Sequence, residues 1–422
     1  MAKRIIPISS GKGGVGKTSF AINLALSLSR FGRTVLVDLD TGTSSIRGTI
    51  DVPVNRDLYH FVKKGERLQD CITPLDARLD PQGQFRNFGF IASPKHMIEA
   101  ITNMDQIMRN RLIDGINGLD ADYIILDLKA GLDAGVIDFM PPANSGILVF
   151  TPNHPAATLA ASDIAKAILF RELRELFHHD SILYNHFKDI DAREINTLID
   201  RTEDVYEGDP ANLDVFLQLL ARRMPDNSFV TILRHIVHRF RIYYVLNRFN
   251  GVDASYKTAV KPLVKNVTDH LSSGLQISNL GWINESQAYH QANVDRTPYL
   301  LGITGEKPVP KPKQDTVSRQ MEELYSLAGL RRKKEPAPKK APVVDQETVL
   351  DGQLKAIEAL YHARGADSIR QNFDYIVSCL RYVFENKRAT ELGTSRILKK
   401  GELVPLLLAQ KMRRDATLRA KQ

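Results

Sequence analysis

One run near the start, Gly11-Lys-Gly-Gly-Val-Gly-Lys-Thr18, constrains this chain more than any other stretch. Glycines at 11, 13, 14 and 16 remove the side chains that would keep a backbone from wrapping an anion, and a lysine and a hydroxyl follow at once. The run fits the pattern G-x-x-x-x-G-K-S/T, in which backbone N–H groups cradle phosphates, the lysine (Lys17) reaches the outer phosphates and the hydroxyl (Thr18) ligates Mg²⁺. Such a loop carries meaning only between a strand and a helix. Both are there: Arg4-Ile-Ile-Pro-Ile-Ser9 reads as a buried strand, and Lys17 to Arg30 has helical spacing with Phe20, Leu24 and Leu28 on one side. The helix N-terminus adds a field that favours negative charge. Val15 and Ser19 complete the set of residues expected around the phosphates.

The rest of the first three hundred residues repeats the alternation of strand and helix. Thr34-Val-Leu-Val-Asp38 and Tyr123-Ile-Ile-Leu-Asp127 are apolar runs that end in carboxylates, as parallel strands buried on both faces do. Gly146–Thr151, Ile242–Asn247 and Leu275–Leu280 continue the series. The fold class this predicts is α/β, a doubly wound and mostly parallel sheet with its ligand at the carboxyl ends of the strands. Asp38, Asp40 and Asp127 then face the phosphate loop.

Lys12 adds a second lysine early in the loop, and with it the stretch closely resembles the deviant Walker A motif, K-G-G-x-G-K-S/T, of the MinD/ParA family of P-loop ATPases. The resemblance implies that Lys12 reaches across a dimer interface to the nucleotide of the partner subunit. There its charge would stabilise phosphoryl transfer, as an arginine finger does. Asp38-Leu-Asp40 resembles the family's D-x-D switch I, which implies that Asp38 lies near the metal and that Asp40 orients or deprotonates the attacking water. An acid that merely caps a turn has the same sequence signature. Asp127 matches the Walker B acid that holds Mg²⁺, directly or through water, and Gly131 the switch II glycine that senses the γ-phosphate through its N–H. Thr151-Pro-Asn-His-Pro-Ala-Ala-Thr158 resembles the family's T-x-P-x-x-x-S/T stretch, and Asn247 matches the asparagine that reads the adenine ring, although an asparagine capping a turn reads alike. The departures are Lys129 in switch II, Ser44 and Ser45 where an asparagine often stands, the early Pro152, and the missing proline of Gly281-Trp-Ile-Asn284, to which no base contact is assigned.

The resemblance covers roughly residues 1–176 and 240–300. An ATPase domain is expected over 1–305, carrying a helical insertion at about 178–239. That insertion shows amphipathic segments around Ile195–Ile199, Val215–Leu220 and Ile232–Val237. A Pro- and Lys-rich linker follows over 306–345, with a short helix at about 316–327. A C-terminal helical module is expected over 346–422, on the helical spacing of Leu350–Leu360 and of Ile369–Phe384.

The only two cysteines, Cys71 and Cys379, leave no disulfide framework and no iron–sulfur site within one chain, and a reducing cytoplasm fits best. The first residues run straight into the strand and the glycine loop, so neither a signal peptide nor a membrane span is expected. The net charge of +8 is concentrated at Arg331–Lys334 and at Lys411–Lys421, clusters that suit DNA phosphates or anionic lipid as well as plain solvation. The function expected is that of an Mg²⁺-dependent ATPase that forms an ATP-dependent homodimer and regulates the position or assembly of a cellular structure. A protein partner or activator would bind through the insertion or the C-terminal module, and a peripheral contact with membrane or nucleoid stays open, through Leu406–Arg414 or the basic clusters. A nucleotide-binding scaffold with little hydrolysis and a metabolic ATP-dependent enzyme are the alternatives.

Overall fold

The computed structural model describes residues 3–41, 45–141, 144–176, 192–204, 206, 210–224, 228–303, 326, 345–364 and 368–384. Ser44, nearly all of the helix expected at 316–327, the basic clusters and the Leu406–Arg414 segment lie outside these residues.

Among the described residues, eight strands form one sheet: β1 (Arg4–Ser9), β2 (Thr34–Leu39), β3 (Thr73–Pro74), β4 (Phe88–Ile91), β5 (Tyr123–Leu128), β6 (Asn144–Phe150), β7 (Arg241–Phe249) and β8 (Gln276–Asn284). Their spatial order is β3-β4-β2-β5-β1-β6-β7-β8. Every pairing is parallel except that of the two-residue β3 with β4. The sheet is therefore the doubly wound, mostly parallel one that the sequence predicts, with β3 and β4 as strands the hydrophobic pattern does not reveal. β8 also runs further than expected, since Gly281–Asn284 continue it rather than leave it.

The helices that matter for the site are α1 (Lys17–Ser29), α2 (Ser45–Thr49), α3 (Leu58–Lys64), α4 (Gln106–Gly118), α5 (Ala134–Ile137) and α6 (Pro155–Leu176). The insertion supplies α7 (Ala192–Glu203), α8 (Leu213–Arg223) and α9 (Ser228–Arg239), one for each amphipathic segment in the sequence. After β7 come α10 (Lys261–His270), α11 (Gln287–Val294), α12 (Gln346–Arg364) and α13 (Ile369–Phe384).

A proline in a central strand needs an explanation, because it has no N–H to give to a ladder. Pro7 pairs with Leu126 of β5, whereas β6 joins β1 only at Ile8 and Ser9. Beside Pro7 the chain of β6 is irregular, and Gly146 sits there at φ 60°. A Cβ on Gly146 would stand 2.6 Å from the Pro7 carbonyl oxygen, so only glycine lets β6 close on that side.

The spacing of Phe20, Leu24 and Leu28 predicts one buried side for α1, yet nearly the whole helix is buried, polar Asn23, Ser27 and Ser29 included. The difference comes from α13, which packs against both α1 and β8 and stacks Phe373 on Phe20 with centroids 5.7 Å apart. Asn23 is accommodated because its Oδ1 accepts the Leu300 N–H at 3.0 Å. Helices α12 and α13 also cover the outer edge of the sheet. Gln353 of α12 donates to the Ile277 carbonyl at 3.0 Å, and Asn372 of α13 accepts the Asn284 N–H at 3.0 Å. An exposed strand edge invites pairing with other chains, and here side-chain amides cap it.

Candidate nucleotide site

The glycine loop leaves β1 and ends at Gly16, which starts α1 in the left-handed region at φ 84°. Its four glycines serve two different ends. Around Gly13 and Gly14 an added Cβ would meet nothing within 4 Å, so their backbone borders open space. At Gly11 a Cβ would lie 2.3 Å from that of Ala160, and at Gly16 2.3 Å from the Asn247 amide nitrogen. Gly11 and Gly16 thus bring the loop against α6 and β7, while Gly13 and Gly14 keep the cradle clear.

Lys17 is buried with its Nζ 2.5 Å from Asp127 Oδ1, and Asp127, with no exposed surface, carries an Oδ2 that has no hydrogen-bond partner. Such a buried acceptor calls for a donor or a cation. Asp38 lies in register with Asp127 across β2 and β5. Its Oδ1 accepts the Asp40 N–H at 3.1 Å and its Oδ2 the Ser93 hydroxyl at 3.0 Å. Full burial and, after it, the neighbouring Asp127 push the Asp38 carboxyl up, the Ser93 hydrogen bond and Lys17 pull it partly back, and the net result is about 7. Two buried acids and one lysine leave an excess of negative charge at the end of the cradle, which fits a divalent cation held through oxygen ligands. Thr18 and Asp40 are half-buried beside this cluster.

The remaining residues fall as follows. Lys12 is exposed on the loop, and its carbonyl accepts the Ser10 hydroxyl at 3.0 Å. Gly131, at φ 95°, gives its N–H to the Ser10 carbonyl at 2.9 Å, so the segment after β5 rests on the root of the loop. Lys129 is half-exposed and pairs with Asp133 at 3.5 Å, the same residue whose Oδ1 accepts the Val136 N–H at the start of α5. Ser19 spends its hydroxyl on Asn293 Oδ1 at 2.7 Å, which leaves its backbone for any ligand. Asn247 is buried and donates from Nδ2 to the Val15 carbonyl at 2.7 Å, while its Oδ1 has no partner. It braces the loop in this structure.

Sequence reasoning passes over Ser93. It stands just beyond β4, the strand the pattern hides, and only the order of strands reveals that this strand ends beside β2 and Asp38.

A family model described as an AAA domain matches residues 3–174. A putative septum site-determining protein MinD from Oltmannsiellopsis viridis is 35% identical over 150 residues, 35% of this chain and 45% of that protein. The septum site-determining protein MinD of Synechocystis is 31% identical over 175 residues, 39% of this chain and 63% of its own. The chain thus spans about half the length of the curated relatives it matches. Among solved structures, the septum site-determining protein MinD complexed with Mg-ADP from Pyrococcus horikoshii superposes with a TM-score of 0.42 at 17% identity, covering 71% of this chain and 88% of that one. With the loop and its two lysines, the paired acids at the ends of β2 and β5 and the match over residues 3–174, this part of the chain is similar to the MinD/ParA family of deviant Walker A P-loop ATPases.

Proposed function

We propose that this chain binds Mg²⁺·ATP, hydrolyses it slowly, and uses the nucleotide to switch between a monomer and a homodimer. The carrying observation is the contrast between the two lysines of one loop. Lys17 is buried against Asp127, as a residue serving its own nucleotide should be, whereas Lys12 is exposed and available to a second subunit. Gly11–Ser19 would hold the phosphates, with Thr18, Asp38 and Asp127 around the metal. When bound, Mg²⁺ would supply positive charge that offsets the charge of the phosphates. In this reading Asp40 would orient water, Gly131 would sense the outermost phosphate and Asn247 would approach the base. For Gly131 this requires exchange of its bond to Ser10 for a phosphate oxygen. Lys129 is spent on Asp133 and plays no part in this reading.

A partner or activator that reads the dimer would bind through the insertion, α7–α9. α13 is already committed to α1 and β8, while α7 and α8 keep charged residues in solvent. Positioning of a cellular structure, on a membrane or on DNA, would follow from such a partner or from the basic clusters. Among the described residues no helix is long and apolar enough to cross a membrane.

The test is the mass in solution of the wild type, Lys12→Ala and Asp40→Ala with ADP·Mg²⁺ and with ATP·Mg²⁺. A dimer that forms only with ATP, persists in Asp40→Ala and fails in Lys12→Ala supports the switch. A mass that never changes rejects it.

A further inference from the structure

Ser93 has no exposed surface and lies just past the carboxyl end of β4, at a position to which the family resemblance assigns no role. Its hydroxyl donates to Asp38 Oδ2 at 3.0 Å, and its carbonyl accepts Arg47 Nε at 3.1 Å. Arg47 belongs to α2, the first helix after Asp40, and its other end is paired with Asp57, which caps α3. A single residue thus grips both ends of the segment that carries Asp38 and Asp40: the strand end through its side chain, the following helix through its backbone.

The consequence for Asp38 is geometric. A carboxylate has two oxygens and about four acceptor positions. Asp38 takes one donor on each oxygen, the Asp40 N–H on Oδ1 and the Ser93 hydroxyl on Oδ2. These two bonds fix the plane of the carboxylate about its terminal torsion, which is otherwise broad. One acceptor position on each oxygen stays available, next to the unpartnered Oδ2 of Asp127. Without the Ser93 hydroxyl only the Asp40 N–H would orient the group, and that N–H sits on the segment whose position is itself to be held.

We infer that Ser93 is a positioning residue for the metal side of the nucleotide site: it orients Asp38 toward Mg²⁺ and, through Arg47, anchors the first helix after switch I. The inference rests on the reading of Asp38 as an acid of the metal site. A partner of this kind, behind a metal-binding group, typically changes metal affinity by about tenfold or more when lost.

The experiment is calorimetric binding of ADP to the full chain in EDTA and across a series of Mg²⁺ concentrations, for the wild type, Ser93→Ala, Ser93→Cys and Asp38→Asn. Ser93→Ala is expected to raise the half-saturating Mg²⁺ concentration by about tenfold while leaving metal-free ADP affinity within about twofold. Ser93→Cys, close in size and a weak donor, should fall between Ser93→Ala and the wild type. An unchanged Mg²⁺ midpoint in Ser93→Ala overturns the inference. So does an equal loss of metal-free ADP binding, which would make Ser93 a general packing residue. If Asp38→Asn also leaves the Mg²⁺ midpoint unchanged, the reading of the metal site fails, and the inference with it; a shifted midpoint in Asp38→Asn alone rejects only the role of Ser93.

Discussion

Lys17 Nζ stands 2.5 Å from Asp127 Oδ1, and both side chains are almost wholly buried. The lysine that would serve phosphates is also the cation that offsets a buried acid. Losing one partner of such a pair leaves an uncompensated charge and costs about 3–5 kcal/mol, far more than replacing both. Lys17→Ala is therefore expected to lower the melting temperature of the nucleotide-free protein clearly and to abolish nucleotide binding, whereas Lys17→Ala combined with Asp127→Ala should recover much of the melting temperature but none of the binding. Thermal melts in EDTA check the first part, and ADP titration the second.

Asp38 gives the nucleotide-free protein a pH signature. Its folded-state pKa is raised to about 7 from the ordinary 3.8, so between those values the folded chain holds a proton that the unfolded chain has released. Stability then falls as pH rises through this window, by something on the order of 4 kcal/mol in all. Melting in EDTA should occur at a higher temperature at pH 5.5 than at pH 8, and Asp38→Asn should flatten the difference. A steeper fall in Asp38→Asn would contradict this account.

The two kinds of glycine separate cleanly by substitution. Gly13→Ala meets open space, so the fold should melt within a degree or two of the wild type, while a methyl group in the cradle weakens ADP binding. Gly16→Ala needs both a left-handed backbone and 2.3 Å to Asn247 Nδ2, so it should lose about 2 kcal/mol or more of stability as well as binding. Chemical denaturation of the two variants side by side decides it.

Phe20 and Phe373 should behave as one unit. Each to alanine is expected to cost about 3–5 kcal/mol, and the double variant less than the sum by about 1 kcal/mol, because the rings stack. Additive losses in urea would show that the two helices do not share a packing unit.

What the sequence reveals and what it hides divide along physical lines. β1, β2, β5 and β6 are legible because a parallel strand buried on both faces is a continuous apolar run, and β2 and β5 end in the acids that the site needs. Phe88-Gly-Phe-Ile91 escapes notice because it is four residues long, contains Gly89, and follows a polar turn. Ser93 is lost with it. The burial of α1 on every side is equally hidden, since its covering helix is remote in sequence and periodicity reports only that a face is apolar, never what meets it. Asn247 is found by resemblance, but its bond to the Val15 carbonyl depends on how β7 is laid beside the loop. The two lysines of the loop are read at once from spacing; that one is buried and the other exposed is a matter of three dimensions.

The seat of α13 on α1 also sets an order in time. A ribosome delivers Lys17–Ser29 early and Ile369–Phe384 late, so throughout most of synthesis the helix behind the glycine loop lacks its cover and Phe20 lacks Phe373. Domains tend to fold as they emerge, and apolar surface awaiting a late partner is where nascent chains stick to one another. The loop is thus complete in sequence before the helix behind it has its cover, and the apolar surface around Phe20 waits for Ile369–Phe384 to be made.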